Sequence, residues 1–268
     1  MKNTEQRNPR TMHLDKMTTL EAVTVMNEED KTVAYAVEKA LPQIAQAVDF
    51  AVDSFHKGGR LIYIGAGTSG RLGVLDASEC PPTFGVPYDM VIGVIAGGTN
   101  AICKAAEGAE DSGQSGVQDL KDIALSAKDT VVGISVSGDA AYIYEALSYA
   151  KGMGAHTVAL TGNPINKISS VAEVTVLTDT GAEVVTGSTR LKAGTAHKMV
   201  LNMLSTVAMV RTGKVIENLM VNVTPTNIKL LDRAARICDT LTGIGIEKAK
   251  EELEKGRSIL EIVGDYEA

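Results

Sequence analysis

The chain has 268 residues, of which 44% are hydrophobic, so it is long enough to bury one large core. Because it holds no Trp, three Phe and seven Tyr, that core must be mainly aliphatic. The formal net charge of −7 argues against a nucleic-acid-binding surface, which needs a basic face. An anionic ligand would therefore be held by local dipoles and a few cations.

The N-terminal part is predicted to be an arm followed by helices. Residues 1–17 are polar and predict an extended arm whose order depends on docking. Thr18–Glu21 is a capping pattern for a first helix, and Asn27–Asp30 predicts the acidic start of a second one. The second helix carries an apolar face up to Gly58–Gly59, and Pro42 inside it should kink or split it.

Short apolar runs rich in Val and Ile predict five strands, at residues 61–64, 90–95, 130–135, 156–161 and 173–178. Small-residue turns and helical stretches, such as 138–153 and 164–170, separate them. Strands that alternate with helices predict an α/β fold with a parallel sheet and helices on both faces. Ligands of such sheets bind beyond the carboxyl ends of the strands.

Helices are predicted after the sheet. A long one covers Arg190–Thr212, and Pro225 opens another that continues through Leu241. Two short charged helices then lead to residue 268.

Two glycine- and hydroxyl-rich turns follow predicted strands. In the first, at 65–70, glycines allow close backbone approach, and the Thr68 and Ser69 hydroxyls add donors to the N–H groups of a helix start. This spacing also fits a dinucleotide-binding turn, and a turn without any ligand remains a third interpretation. The second turn, at 133–138, carries Ser135 and Ser137. Two such turns favour one clamped sugar phosphate over a nicotinamide cofactor.

Glu79 is a candidate general acid. Pro81 and Pro82 are predicted to end its helix, which would place Glu79 where the helix dipole favours a protonated carboxyl group. The alternative is a solvated glutamate near a helix end. The acidic stretch 107–113 is interpreted either as a solvated helix start or as the source of a base that partners Glu79.

The segment 187–198 places three cations, Arg190, Lys192 and Lys198, at a helix start, where they oppose the dipole. A ligand or a partner subunit is a candidate reason for them. His197 has no clear nucleophile or metal partner in the sequence, so it is interpreted as a packed or surface residue. Nucleotide-hydrolysis and metal-catalysis motifs are not found, and we expect no metal.

We expect a cytoplasmic protein with no membrane segment. No apolar run reaches transmembrane length, and residues 1–6 lack a signal-like apolar stretch. An odd number of cysteines without metal spacing is typical of reduced thiols, and these are Cys80, Cys103 and Cys238.

Several longer motifs lie within residues 4–240, at 4–8, 26–30, 65–85, 107–111, 186–196 and 218–221. With these motifs the chain resembles the N-acetylmuramic acid 6-phosphate etherases. This family is part of the sugar isomerase (SIS) domain superfamily, which also includes the glucokinase regulatory protein.

The resemblance implies a cofactor-free lyase that splits the D-lactyl ether of N-acetylmuramic acid 6-phosphate. Glu79 matches the family's acid by motif position, and Glu110 matches its second catalytic glutamate. The residues matching the sugar-phosphate cradle are Gly67, Thr68, Ser69, Gly70, Ser135, Ser137 and Gly138. Homodimers with the site near the subunit interface are also implied. A non-catalytic sugar-phosphate-binding regulator, the other use of this fold, remains the alternative.

Three departures from the family pattern bear on binding. Asp139–Ala141 replaces a stretch with a cation and a hydroxyl, so Asp139 should repel phosphate unless it turns to solvent. Ala182 stands where the family usually has Pro. The C-terminal helical extension is expected to be shortened, which would affect cleft closure or dimer stability.

The domain organisation expected from these patterns has three parts. Residues 1–57 form an arm and helices that pack on the core, and residues 58–224 form the SIS sugar-phosphate-binding domain. Residues 225–268 form a C-terminal helical segment.

Overall fold

A parallel five-stranded sheet forms the centre of the molecule, in a computed structural model that describes residues 1–223 and 227–266. Its strands are β1 (Leu61–Gly65), β2 (Val91–Ile95), β3 (Thr130–Ile134), β4 (His156–Thr161) and β5 (Val174–Leu177). Their order across the sheet is β2-β1-β3-β4-β5. A separate antiparallel pair joins β6 (Val215–Ile216) to β7 (Leu219–Met220). The predicted α/β fold and the five predicted strands are therefore confirmed.

Helices cover both faces of the sheet. Within the described residues they are α1 (Thr19–Asp30), α2 (Val33–Glu38), α3 (Leu41–His56), α4 (Gly67–Phe84), α5 (Asn100–Cys103), α6 (Gly113–Asp122), α7 (Ala141–Gly152), α8 (Lys192–Arg211), α9 (Ile228–Thr242), α10 (Ile246–Glu254) and α11 (Ile259–Gly264). Short 3-10 turns lie at Asn3–Glu5, Pro9–Thr11, Leu14–Lys16, Ala109–Asp111 and Ile168–Ser170.

Alternate residues of the strands point to opposite faces of the sheet and pack into two aliphatic layers. On one face, Tyr63 and Ile134 pack with residues of α3, α4 and α8. On the other face, Ile62 and Ile64 pack with residues of α6 and α7. A third apolar cluster joins α9, α10 and α11 to Val221. The sheet is buried on both faces, as a parallel sheet requires.

The N-terminal arm docks on the molecule. Thr4, Asn8 and Thr11 are buried. The Thr4 carbonyl accepts from Gly187 N at 3.2 Å, and Thr11 Oγ1 donates to the Val184 carbonyl at 2.9 Å. The arm thereby reaches the loop that precedes α8.

The second helix was predicted to start at Asn27–Asp30, and this prediction is wrong. Helix α1 begins with the expected Thr18–Glu21 capping box and runs on to Asp30, so the acidic residues form its last turn. Glu29 is stable there because its Oε2 accepts from Lys192 Nζ at 2.7 Å. The break expected at Pro42 is confirmed, since Pro42 lies in the first turn of α3.

One further helix prediction differs from the structure, and another is not tested by it. The stretch 164–170 forms only the single 3-10 turn Ile168–Ser170. The helix start predicted at Pro225 lies outside the described residues, as does the expected domain boundary between 224 and 225. The helix that follows, α9, is described from Ile228 onwards.

Helix α4 continues through Pro81 and Pro82 and ends at Phe84, so the predicted position of Glu79 at the helix end is wrong. Each proline removes one backbone donor, but tertiary contacts hold the last turn in place. Cys80 and Phe84 are buried in the core. Asn222 Nδ2 donates to the Phe84 carbonyl at 2.7 Å, which satisfies an acceptor that the helix end leaves free.

Candidate active site

The turn between β1 and α4 is packed closely against the sheet. A Cβ atom on Gly70 would lie 2.6 Å from the Gly65 carbonyl oxygen and 2.6 Å from Ile95 Cγ1, so only glycine fits. Gly67, with a φ of +54°, lies at the first position of α4. The backbone N–H groups that open α4 therefore meet the carboxyl end of β1, where an anion would be stabilised.

The second hydroxyl-rich turn lies beside the first because β1 and β3 are neighbours. Gly65 is paired in register with Ile134, the residue before Ser135. Ser135 Oγ accepts from Gly138 N at 3.0 Å and lies 3.4 Å from Ser137 Oγ. Gly138 has a φ of +69°, and a Cβ there would meet Asn166 Cβ at 2.4 Å. The turn is thus fixed with both serine hydroxyls close together.

A cavity of about 510 Å³ opens at these two turns. Of the residues predicted for the cradle, those that line it are Gly67, Thr68, Ser69, Ser135 and Ser137. Gly70 and Gly138 do not line it and act instead through the tight packing described above. The remaining walls come from the N-terminal arm, the loop before α6 and the first turns of α8.

Carboxylates line one side of the cavity. Glu107 and Glu110 flank Gly108, whose φ of +72° turns the chain into the short Ala109–Asp111 helix. Glu5 of the docked arm adds a third carboxylate. The acidic stretch 107–113 is therefore a cavity wall that leads into α6.

Glu79 lies elsewhere in the subunit. Its side chain is exposed, and it does not line the cavity. Glu79 follows Ser69 by ten residues on α4, which corresponds to about 15 Å along the helix axis. One subunit therefore does not bring Glu79 and Glu110 together in this cavity.

His197 is a cavity residue that sequence reasoning missed. It lines the cavity from α8, one turn after Gly194, and is 0% exposed. Burial lowers the pKa of the ring to about 4, against a smaller opposing effect of the Thr161 backbone. The Thr161 backbone lies close enough to the ring to act on its pKa, but neither ring nitrogen forms a hydrogen bond of good geometry with a described residue. The available sequence signal was the run of small residues at 193–196 just before His197.

The cations at the start of α8 have structural roles or lie outside the cavity. Lys192 is 3% exposed, and its Nζ donates to Glu29 Oε2 at 2.7 Å and to the Thr180 carbonyl at 3.0 Å. Glu183 caps the helix by accepting from Lys192 N at 2.9 Å and from Ala193 N at 3.0 Å. Burial raises the pKa of Glu183, against the effect of these donors.

Asp139 turns away from the cavity. Its Oδ2 lies 2.6 Å from Lys2 Nζ, and its Oδ1 accepts from Lys167 N at 3.2 Å. The charge that was expected to repel phosphate is therefore partly neutralised by the arm.

Within residues 1–223 and 227–266, no group of three or more His, Cys, Asp or Glu side chains is placed to hold a metal ion. Over the same residues, the structure contains no helix with the length and apolarity needed to cross a membrane.

The fold defines the class of protein. The family model for the SIS domain matches residues 114–207, and that for the glucokinase regulatory protein N-terminal SIS domain matches residues 43–151. A phosphoheptose isomerase from Francisella tularensis aligns with a TM-score of 0.59 at 19% identity, covering 72% of this chain and 100% of its own. One from Neisseria gonorrhoeae aligns with a TM-score of 0.54 at 19% identity, covering 71% and 98%. The chain has the SIS fold.

Sequence comparison gives the family within this class. The N-acetylmuramic acid 6-phosphate etherases of Yersinia pestis and Yersinia pseudotuberculosis are each 55% identical to this chain over 251 residues. The match covers 94% of this chain and 85% of each relative. This chain belongs to the N-acetylmuramic acid 6-phosphate etherase family, and the predicted resemblance is confirmed.

Proposed function

We propose that this enzyme cleaves the D-lactyl ether of N-acetylmuramic acid 6-phosphate, giving N-acetylglucosamine 6-phosphate and D-lactate during cell-wall sugar recycling. The observation that carries the proposal is the 55% identity over 94% of the chain to etherases of that name. The retained glutamates and the two hydroxyl-rich turns at one cavity agree with it.

The phosphate is proposed to bind between the two turns. The N–H groups at the start of α4 and the hydroxyls of Thr68 and Ser69 would hold one side of it, and Ser135 and Ser137 would hold the other. Gly67 lets the backbone approach, while Gly70 and Gly138 keep both turns in place. Ser135→Ala and Ser137→Ala should each raise KM more than they lower kcat.

The reaction is proposed to be an elimination followed by hydration, as the family resemblance implies. A base removes the C2 proton of the open-chain sugar, and the electron pair of the broken C2–H bond forms the C2–C3 double bond. The C3–O bond breaks as an acid protonates the departing lactyl oxygen. Water then adds across the double bond, with its oxygen going to C3. No cofactor is needed for this electron balance.

Glu110 is proposed to be the base, and Glu79 the acid supplied by the partner subunit of a homodimer. The support is geometric, because Glu110 lines the cavity whereas Glu79 is exposed on α4 about 15 Å along the helix from Ser69. A second copy of the chain that covers the cavity with its own α4 would complete the site.

Release of D-lactate from N-acetylmuramic acid 6-phosphate tests the activity. Glu79→Gln and Glu110→Gln should each abolish release while keeping the thermal stabilisation by ligand. When equal amounts of the two variants are refolded together, half of the dimers contain one subunit of each variant. Each of these heterodimers holds one intact site out of two, so about a quarter of the wild-type activity should return. A folded wild-type dimer that releases no D-lactate would contradict the proposed lyase activity. A mixture that stays inactive would contradict the proposal that the two subunits share the site.

The alternative is a non-catalytic sugar-phosphate-binding regulator. The glucokinase regulatory protein model, which matches residues 43–151, is the observation that favours it. Thermal stabilisation by N-acetylglucosamine 6-phosphate, together with no D-lactate release from N-acetylmuramic acid 6-phosphate, would support the regulator and contradict the lyase.

We also propose the division into 1–57, 58–224 and 225–268, with the protein in the cytoplasm. The packing of α2 and α3 on the sheet supports the first division, and the separate cluster around α9–α11 supports the last. The free thiols of Cys80, Cys103 and Cys238 support a reducing compartment. Limited proteolysis with mass spectrometry of the fragments tests the boundaries.

A further inference from the structure

His197 is a buried polar residue whose ring forms no hydrogen bond of good geometry with the described residues, although it is one of the residues that line the cavity of the proposed site. The ring is 0% exposed, and its polar neighbour, the Thr161 backbone, forms no well-aligned hydrogen bond with Nδ1 or Nε2. Buried polar groups are nearly always hydrogen-bonded, so an exception on a cavity wall indicates a partner that enters the cavity.

The position of the ring indicates where that partner binds. His197 shares the cavity wall with Ile134 and Ser135 at the end of β3, and it lies beside the backbone of Thr161 at the end of β4. Ser135 N donates to the Leu160 carbonyl at 3.0 Å, so the ends of these two strands are adjacent. The ring therefore lies on the floor of the cavity, next to the proposed phosphate cradle.

The protonation state limits what the ring can do. Burial keeps the imidazole neutral at physiological pH, so one nitrogen carries a proton and the other accepts. A neutral ring can donate a hydrogen bond to an oxygen of the ligand without adding a positive charge to the floor.

We propose that His197 is a substrate-binding residue, whose neutral ring donates a hydrogen bond to an oxygen of the bound phosphorylated sugar, directly or through one trapped water. This inference rests on the proposed function, since it takes a sugar phosphate as the ligand. The unpartnered ring destabilises the free protein, and binding of the ligand removes that cost.

The proposal predicts opposite effects on stability and on binding. In His197→Leu the unpartnered polar ring is gone, so the free protein should melt at the same temperature as the wild type or higher. The variant has also lost the hydrogen bond to the ligand. Its Kd for N-acetylglucosamine 6-phosphate should be weaker by about tenfold or more. A purely structural histidine would give no such separation.

Thr180→Val is the matched control. Thr180 Oγ1 is also buried and unpartnered among the described residues, but Thr180 does not line the cavity. This variant should likewise melt at or above the wild-type temperature, and its Kd should stay within twofold of the wild type. His197→Gln, which keeps a donor and an acceptor, should recover part of the affinity that His197→Leu loses.

The experiment measures melting temperature and calorimetric Kd for the four proteins, and the ring 15N signals of His197 with and without N-acetylglucosamine 6-phosphate. Ligand should shift the His197 signals and slow exchange of the ring proton. A leucine variant within twofold of the wild-type Kd overturns the proposal. If that variant does not fold, the proposal is overturned instead when saturating ligand leaves the wild-type ring 15N signals of His197 unchanged. A wild type that binds no sugar phosphate contradicts the proposed function, and the inference fails with it.

Discussion

Lys2 of the N-terminal arm forms an ion pair with Asp139, with 2.6 Å between Nζ and Oδ2. The Lys2 ammonium also donates to the backbone carbonyl of Ser137, a residue of the proposed phosphate cradle. Among the described residues that line the cavity, three are glutamates and none is Lys or Arg. The arm therefore brings a positive charge next to a cradle that otherwise depends on dipoles and hydroxyls.

Lys2→Ala should weaken binding of the phosphorylated substrate. Loss of one charge near the phosphate corresponds to roughly 1 kcal/mol, or about a fivefold rise in KM, with kcat little changed. Because the ion pair is partly exposed, the effect should shrink at high salt. Steady-state kinetics at low and high ionic strength measure it.

Asp139→Asn serves as the opposite-sign control. It removes the negative charge and leaves Lys2 free to face the ligand, so KM should fall or stay the same. A rise in KM for Asp139→Asn equal to that for Lys2→Ala would mean that the pair only holds the arm in place.

The stability of the protein should fall in acid because of His197. The folded-state pKa is about 4, against an ordinary value of 6.5, so between these values the unfolded chain takes up a proton that the folded protein does not. Stability therefore falls as the pH drops through 6.5, and roughly 3 kcal/mol is lost below pH 4. Urea unfolding from pH 7 to pH 4 measures the loss.

His197→Leu isolates this contribution. Asp76 and Glu183, whose pKa values are raised by burial, bind protons in the folded state and act in the opposite direction. Because both carboxyl groups remain in the variant, the difference between the two proteins cancels them. Parallel stability curves for the wild type and His197→Leu would contradict the assignment.

Lys192→Met should be strongly destabilising. Lys192 and Glu29 are both buried and form an ion pair. Burial raises the pKa of Glu29, but hydrogen bonds from Lys192 and Asn8 outweigh this effect and hold the pKa below its usual range. Removing the lysine leaves a buried carboxylate without its main partner, at a cost of about 3–5 kcal/mol. Urea denaturation measures the change. The double variant Glu29→Gln/Lys192→Met should lose less than the single one, and an equal loss would argue against charge burial as the cause.

The strands and both site turns could be predicted because their signals are local. Continuous apolar runs and the small residues after them fix β1, β3 and the turns that follow. The sequence also predicted that the two turns hold one phosphate, but only the structure gives the reason, which is that β1 and β3 are neighbours and place Ser69 and Ser135 at one cavity.

The wrong predictions have long-range causes. Asn27–Asp30 has the composition of a helix start, but Lys192, which is 163 residues further along the chain, stabilises Glu29 at a helix end. The prolines after Glu79 predict a helix end, but burial of Phe84 and a bond from Asn222, 138 residues away, extend α4. His197 was missed for a related reason, since only the folded chain shows which cavity it lines.

Asn222→Ala should loosen the end of α4 that carries Glu79. Asn222 Nδ2 donates to the carbonyls of Phe84 at 2.7 Å and Gly85 at 3.1 Å, so its loss leaves both acceptors to water. We expect a loss of about 1–2 kcal/mol in urea unfolding. Asn222→Asp, which keeps the size but loses the donor, should cost at least as much. In the proposed dimer, D-lactate release should also fall, because the last turns of α4 position Glu79. Normal stability together with normal turnover in both variants would show that α4 holds its end without this contact.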